Sequence, residues 1–243
     1  MRGTQEGVDF LDDGQLATSG VPNDQIVAMV NWWLKATTAP DQQAQQIQYG
    51  PVGTGVTNPD TGAEITVDRF TLASSVAGTS NTSGMAGISA IAGVNGHSLG
   101  GYLATAFTRL LGANVQSVDT FNSAGFSNVV SGGINDKFNQ IALLIGAEKG
   151  LGSFASVGAK QTNLFGQNGI EFTTNSWADI GIPGFSQYGQ RVDLYQEEGL
   201  AAANHKMYKL TDLLALGAAI EKLDPSMTIA RLNELVKSGS NEM

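Results

Sequence analysis

Gly93-Val94-Asn95-Gly96-His97-Ser98-Leu99-Gly100-Gly101-Tyr102-Leu103-Ala104-Thr105-Ala106-Phe107 is the stretch on which the fold turns. Glycines stand two positions either side of Ser98, and Gly101 adds a third. Such spacing marks a sharp passage from strand into helix, because the serine is held in a strained backbone conformation and side chains at the flanking positions would collide with it. A hydroxyl at that bend stands at the edge of a sheet, which nominates Ser98 as an attacking group.

The flanks supply the context that a five-residue pattern needs. Residues 87–95 form a short apolar run with β-branched members, which predicts a strand buried on both faces. Leu99, Leu103, Phe107, Leu110 and Leu111 follow at helical spacing, with Gly112 as a stop. Strand, bend and helix together predict an α/β fold with a mainly parallel central sheet flanked by helices.

Composition narrows the function classes. With 243 residues and 42% hydrophobic content, the chain can form one domain over residues 1–243. Its net charge of -9, from 13 basic and 22 acidic residues, speaks against nucleic acid as a partner, since no basic cluster can replace phosphate counterions. There is no cysteine, and His97 and His205 are the only histidines, so a His/Cys zinc site is not expected. The acidic residues are scattered rather than set at calcium-loop spacing; no metal and no organic cofactor is expected. No apolar run is long enough for a transmembrane segment, and no basic, apolar leader opens the chain.

The first residues contain Arg2-Gly3-Thr4, then Phe10 and Asp13. Together with the serine bend, this resembles the class 3 (fungal-type) lipase family of the α/β-hydrolase fold, which includes bacterial lipases and esterases. The likeness is dense over residues 2–13 and 94–103 and loose elsewhere. It implies that Thr4 helps form an oxyanion hole and that Arg2 pairs with Asp13. It also implies a strand ahead of the arginine, where only Met1 stands, so the fold is expected to be truncated at its N-terminus.

A serine hydroxyl needs an imidazole to take its proton and return it to the leaving group. His97 adjoins Ser98 and is expected to point away from it and pack. His205 is then the expected base, placed in the loop after a final strand (residues 191–195) and before a long helix (residues 207–223). An acid should hold the imidazole from the loop after the penultimate strand (residues 161–165). Glu171 is the first carboxylate there and is chosen. Asp179, Glu197, Glu198 and Asp119 stay open as alternatives, and the family's aspartate register falls near Asn168. The Leu99 N–H, at the positive end of the helix, is the expected first oxyanion donor and Thr4 the second.

These residues and the resemblance imply a secreted carboxylic-ester hydrolase of lipase, esterase or phospholipase A type. It would work through an acyl-enzyme on acyl-ester or lipid substrates at a lipid–water interface. The alternative is a weak or inactive lipase-like module of a larger secreted protein. Further elements are predicted along the chain. Asn23 or Asp24 caps a helix to residue 36 with Ile26, Val30, Trp33 and Leu34 on one face, either a packed crossover or a lid over Ser98. Residues 37–62 read as loop, 64–74 as strand and 76–85 as a flexible connection. Residues 115–121 read as strand, 137–145 as helix, and a last helix runs from Asp224-Pro225 to about Lys237. Leu210, Leu213, Leu214, Leu216 and Ile220 are expected to face the core.

Overall fold

The computed structural model describes residues 21–127, 133–169, 185–199 and 205–240. Helix α1 (Asn23–Thr37) begins directly after Pro22, and neither Asn23 nor Asp24 supplies the expected side-chain cap. Ile26, Met29, Val30 and Leu34 are buried along one face, whereas Trp32 is 56% exposed. Trp33 meets Phe107 edge to face at 4.9 Å. With its apolar face already covered by the core, α1 is a packed element and not a free lid.

Strands β1 (Gln43–Thr57) and β2 (Glu64–Ala77) pair antiparallel as a long hairpin, which corrects the loop expected over residues 37–62. The turn is closed by Asn58, whose Oδ1 accepts the Asp60 N–H at 2.9 Å, and by Gly62 at φ 69°. Only the base of the hairpin is buried, at Ala44, Ile47 and Phe70, while its outer half meets water on both faces and so carries no apolar alternation to read. Asn31 of α1 anchors that base by bonding both backbone groups of Ile47, at 2.9 and 2.8 Å. One short turn, α2 (Ser80–Ser83), interrupts the expected connection.

The parallel sheet follows. Its strands are β3 (Ile91–His97), β4 (Val115–Phe121), β6 (Gln161–Gly169) and β8 (Gln190–Gly199), hydrogen-bonded in the order β3-β4-β6-β8. Between them lie α3 (Leu99–Leu111), the two-residue β5 (Phe126–Ser127), α4 (Ile134–Ile145), α5 (Phe154–Gly158) and β7 (Phe185–Ser186), which pairs with β5. Helices α6 (Met207–Glu221) and α7 (Ile229–Ser240) close the described chain. The molecule is thus an α/β protein with a four-stranded parallel sheet flanked by helices.

Three further expectations are corrected. β3 is not buried on both faces: Ala92, Gly93 and Asn95 are exposed, because among the described strands β3 is an edge with β4 as its one neighbour. Leu216 is 47% exposed, so the apolar stripe of α6 is narrower than its sequence suggests. Asp224 does not cap α7; it accepts from Ser226 in a tight turn, and the Thr228 hydroxyl takes the Arg231 N–H at the true helix start.

Strand alternation sends Val118 and Phe121 to opposite faces of the sheet. One face carries the larger core, where Tyr102, Phe107, Leu110, Phe126, Phe138 and Phe154 join α1, α3, α4 and α5. On the other, Leu194 with Leu210, Leu213 and Leu232 seats α6 and α7. A buried amide network fixes the register between β4 and β6. Asn163 Oδ1 accepts from Thr120 at 2.6 Å and from Gln161 at 2.7 Å, its Nδ2 donates to the Tyr188 carbonyl at 2.6 Å, and Thr105 of α3 donates to Gln161 at 3.1 Å. Among the described residues, no single helix is long and apolar enough to cross a membrane.

Candidate active site

Ser98 sits between the end of β3 and the first turn of α3 with φ 57° and ψ -129°. Only two non-glycine residues among those described have positive φ, Ser98 and Asn122. A backbone of this kind costs on the order of 1–3 kcal/mol and persists where its surroundings over-determine it. Here they do. The Ser98 N–H donates to the Phe121 carbonyl at 3.1 Å, while the Ser98 carbonyl accepts from Gly101 at 2.9 Å and from Ala124 at 3.0 Å. Every residue of α3 is buried, so the bend cannot relax without moving the core.

The glycines behave as the spacing requires. A Cβ at Gly96 would stand 2.0 Å from the Gly100 carbonyl oxygen, and one at Gly101 would stand 2.5 Å from Ser123 Oγ. The first contact is the folded-back bend itself; the second is the loop after β4 pressing on the helix start. Gly112 ends α3 where the sequence places the stop.

Ser98 is 5% exposed, and its hydroxyl takes no hydrogen bond from any described residue. Beside it, the Leu99 N–H opens α3 and finds no acceptor among the described backbone groups, as the first donors of a helix do not. Beneath the bend Tyr102 stacks on Phe126 at 4.1 Å, and complete burial, with Tyr188 nearby, holds its hydroxyl protonated far above the usual tyrosine range.

His205 stands just ahead of α6, after the last strand of the sheet, and the fold returns it to the ends of β3 and β4. Its carbonyl accepts a bond of 2.7 Å from His97 Nε2 and a longer one of 3.5 Å from Asn122 Nδ2. The two imidazole rings lie 4.7 Å apart between centroids, inclined by 36°. His205 and Ser98 do not share a hydrogen bond in this conformation. His97 does more than pack: it carries the contact between the strand that leads into Ser98 and the segment of the expected base.

Asn122 opens the turn that follows β4, and the sequence gives it no role of its own. It is fully buried at φ 41°, its N–H donates to the Leu164 carbonyl at 2.9 Å, and its Oδ1 accepts the Gly166 N–H at 2.9 Å. An asparagine directly after a strand, able to tolerate positive φ and to bond backbone with its amide, was the available signal. Ser98, Asn122 and the backbone of His205 therefore lie toward the carboxyl ends of the parallel strands, where open α/β sheets gather their sites.

The expected acid stands differently. Glu171 lies two residues past the end of β6, the penultimate strand of the sheet, and outside the described residues, as do Asp179, Thr4, Arg2 and Asp13. The backbone of Glu197 and Glu198 continues β8, and that of Asn168 continues β6. Asp119 is half-buried in mid-β4, paired with Asn95 and Thr162, two positions short of the strand end. Among the described residues no three His, Asp or Glu side chains converge as a metal site. A cavity of about 360 Å³ between β8, α6 and α7 is lined by Tyr195, Tyr208, Lys209 and Asp212 and does not include Ser98. Comparison with family models, with curated proteins and with solved structures finds no significant match to this chain.

Proposed function

We propose that this protein is a serine hydrolase of carboxylic esters, of lipase, esterase or phospholipase A type, built on an α/β-hydrolase-like sheet. Ser98 attacks the ester carbonyl, His205 takes the hydroxyl proton and passes it to the departing alcohol, and water then frees the acyl group through the same base. The Leu99 N–H, with Thr4 as its second donor, faces the oxyanion, and Glu171 orients the imidazole. The single observation that carries the reading is the Ser98 backbone, at φ 57° and ψ -129° between a parallel strand and a buried helix. A strained, over-determined serine with an unused hydroxyl and a free N–H beside it serves chemistry better than folding.

The substrate class is a water-insoluble or acyl-glycerol ester, with short soluble esters second, and secretion fits that substrate. A panel of p-nitrophenyl esters of graded chain length tests this: hydrolysis by the native chain and its loss in Ser98→Ala is the expected result. Equal rates for the two proteins would remove Ser98 from the reaction. A second reading, a weak or inactive module of a larger secreted protein, is favoured by one observation, the absence of a Ser98–His205 hydrogen bond. Catalytic hydrogen bonds are often long without substrate and tighten when it binds, which keeps the enzymatic reading ahead.

A further inference from the structure

We propose that His97 is a positioning residue for His205, holding the base's backbone against the strand that delivers the nucleophile. The inference rests on the hydrolase reading and goes beyond it, because neither the proton transfer nor the oxyanion hole requires a second histidine.

A base can act only if its ring stays within hydrogen-bond reach of the hydroxyl, and a side chain is placed no better than the backbone that bears it. The His205 backbone lies outside the sheet ladder, ahead of α6, and gains no position from strand pairing. Its carbonyl is instead gripped by His97 Nε2 at 2.7 Å. His97 is the last residue of β3, paired with Phe121 of β4, and is bonded covalently to Ser98. The contact therefore runs from the serine's own strand to the histidine's own backbone, across 108 residues of sequence.

A carbonyl only accepts, so the His97 ring carries its proton on Nε2. The second lone pair of the same oxygen faces Asn122 Nδ2 at 3.5 Å, with the Asn122 amide held in orientation by the Gly166 N–H on its other end. The inclined ring contact at 4.7 Å adds a lateral stop on the His205 imidazole. Backbone and ring of the base are thus both referred to one neighbour of the nucleophile. Packing alone does not account for this, since His97 is only half-buried and belongs to neither hydrophobic cluster.

Two substitutions separate donor from ring. His97→Phe keeps a flat ring and removes the donor; His97→Gln removes the ring and keeps an amide donor. With p-nitrophenyl acetate, H97F is expected to lose about tenfold to a hundredfold in kcat, the loss that about 1 Å of misplacement brings, with KM within about twofold. H97Q is expected to recover kcat to within about fivefold of the native protein, because the bond that fixes the carbonyl returns. Thermal unfolding of each variant shows that it folds, and a protected His97 Nε2 proton in nitrogen-edited spectra, lost in H97F, reads the bond without activity. A folded H97F with native kcat, or H97Q no better than H97F, would overturn the proposal while leaving Ser98 chemistry intact. A native protein that hydrolyses no ester would overturn the hydrolase reading, and the positioning role with it, even with the Nε2 proton present.

Discussion

Replacing Gly96 with alanine tests the bend most severely, because its neighbours are backbone and cannot swing aside. The added Cβ would stand 2.0 Å from the Gly100 oxygen, 2.3 Å from the Gly100 carbonyl carbon and 2.7 Å from the Gly101 nitrogen. Comfortable heavy-atom contact begins at about 3.5 Å, so the strand end and the helix start must part by about 1.5 Å. Overpacking costs of this kind run at about 1–3 kcal/mol, and backbone on all sides puts Gly96→Ala at the upper end, about 3 kcal/mol. For a chain of this size that is a loss of roughly 6–12 °C in Tm. The same separation moves Ser98 relative to its partners, and misplacement on the order of 1 Å lowers turnover by about a hundredfold. Gly93→Ala is the internal control: it lies in the same strand, is exposed, and its Cβ would come nearest to Ser117 Oγ at 3.2 Å, a side chain that can rotate, with its next neighbours at an ordinary 3.9 Å. Circular-dichroism melts and ester hydrolysis on both variants read the two costs. G96A melting within 2 °C of the native protein and turning over normally would refute the steric account of the bend, as would G93A failing as badly as G96A.

Two stability predictions bear on the scaffold. Asn163→Leu removes the partner that Asn163 gives to the Thr120 hydroxyl, the Gln161 amide and the Tyr188 carbonyl, and at about 1–3 kcal/mol for each group the sum is roughly 3–9 kcal/mol, visible as a large fall in denaturant midpoint. A midpoint unchanged in that variant would show that the network does not hold β4 to β6. Asn31→Ala removes both bonds to Ile47 and should cost about 1–2 kcal/mol, seen most directly as hydrogen exchange at the Ile47 amide faster by about tenfold; unchanged exchange would mean that the hairpin is anchored elsewhere.

Local chemistry was legible where it was strong. The Gly-x-Ser-x-Gly spacing, the apolar periodicity of α3 and its glycine stop are local rules, and bend and helix stand where they point, while the strand runs over Ile91–His97 rather than residues 87–95. The sequence of β4 and the parallel α/β class were equally readable, since apolar β-branched runs alternate with helical stretches. What escaped depends on partners distant in the chain. β1 is a strand because β2 pairs with it, and its glutamines and glycines give no inward stripe. The exposure of β3 follows from its place at an edge, which composition does not encode. Asp224-Pro225 looks like a helix start, but the aspartate spends its acceptors on Ser226, and Thr228 does the capping. At the site, the glycine spacing points to Ser98 and elimination between two histidines points to His205, whereas the tie through His97 and Asn122 is made to a backbone carbonyl, a group every residue owns and no pattern marks. The choice of Glu171 turns on the path beyond β6, which lies outside the described residues.

The central claim is that Ser98 is an activated nucleophile, and treatment of the folded protein with a fluorophosphonate followed by mass spectrometry of its peptides tests it most directly. The account predicts one adduct per chain, on Ser98, formed by the native protein and lost in His205→Asn. A folded native protein that stays unmodified, or that carries the adduct on another residue, would contradict it.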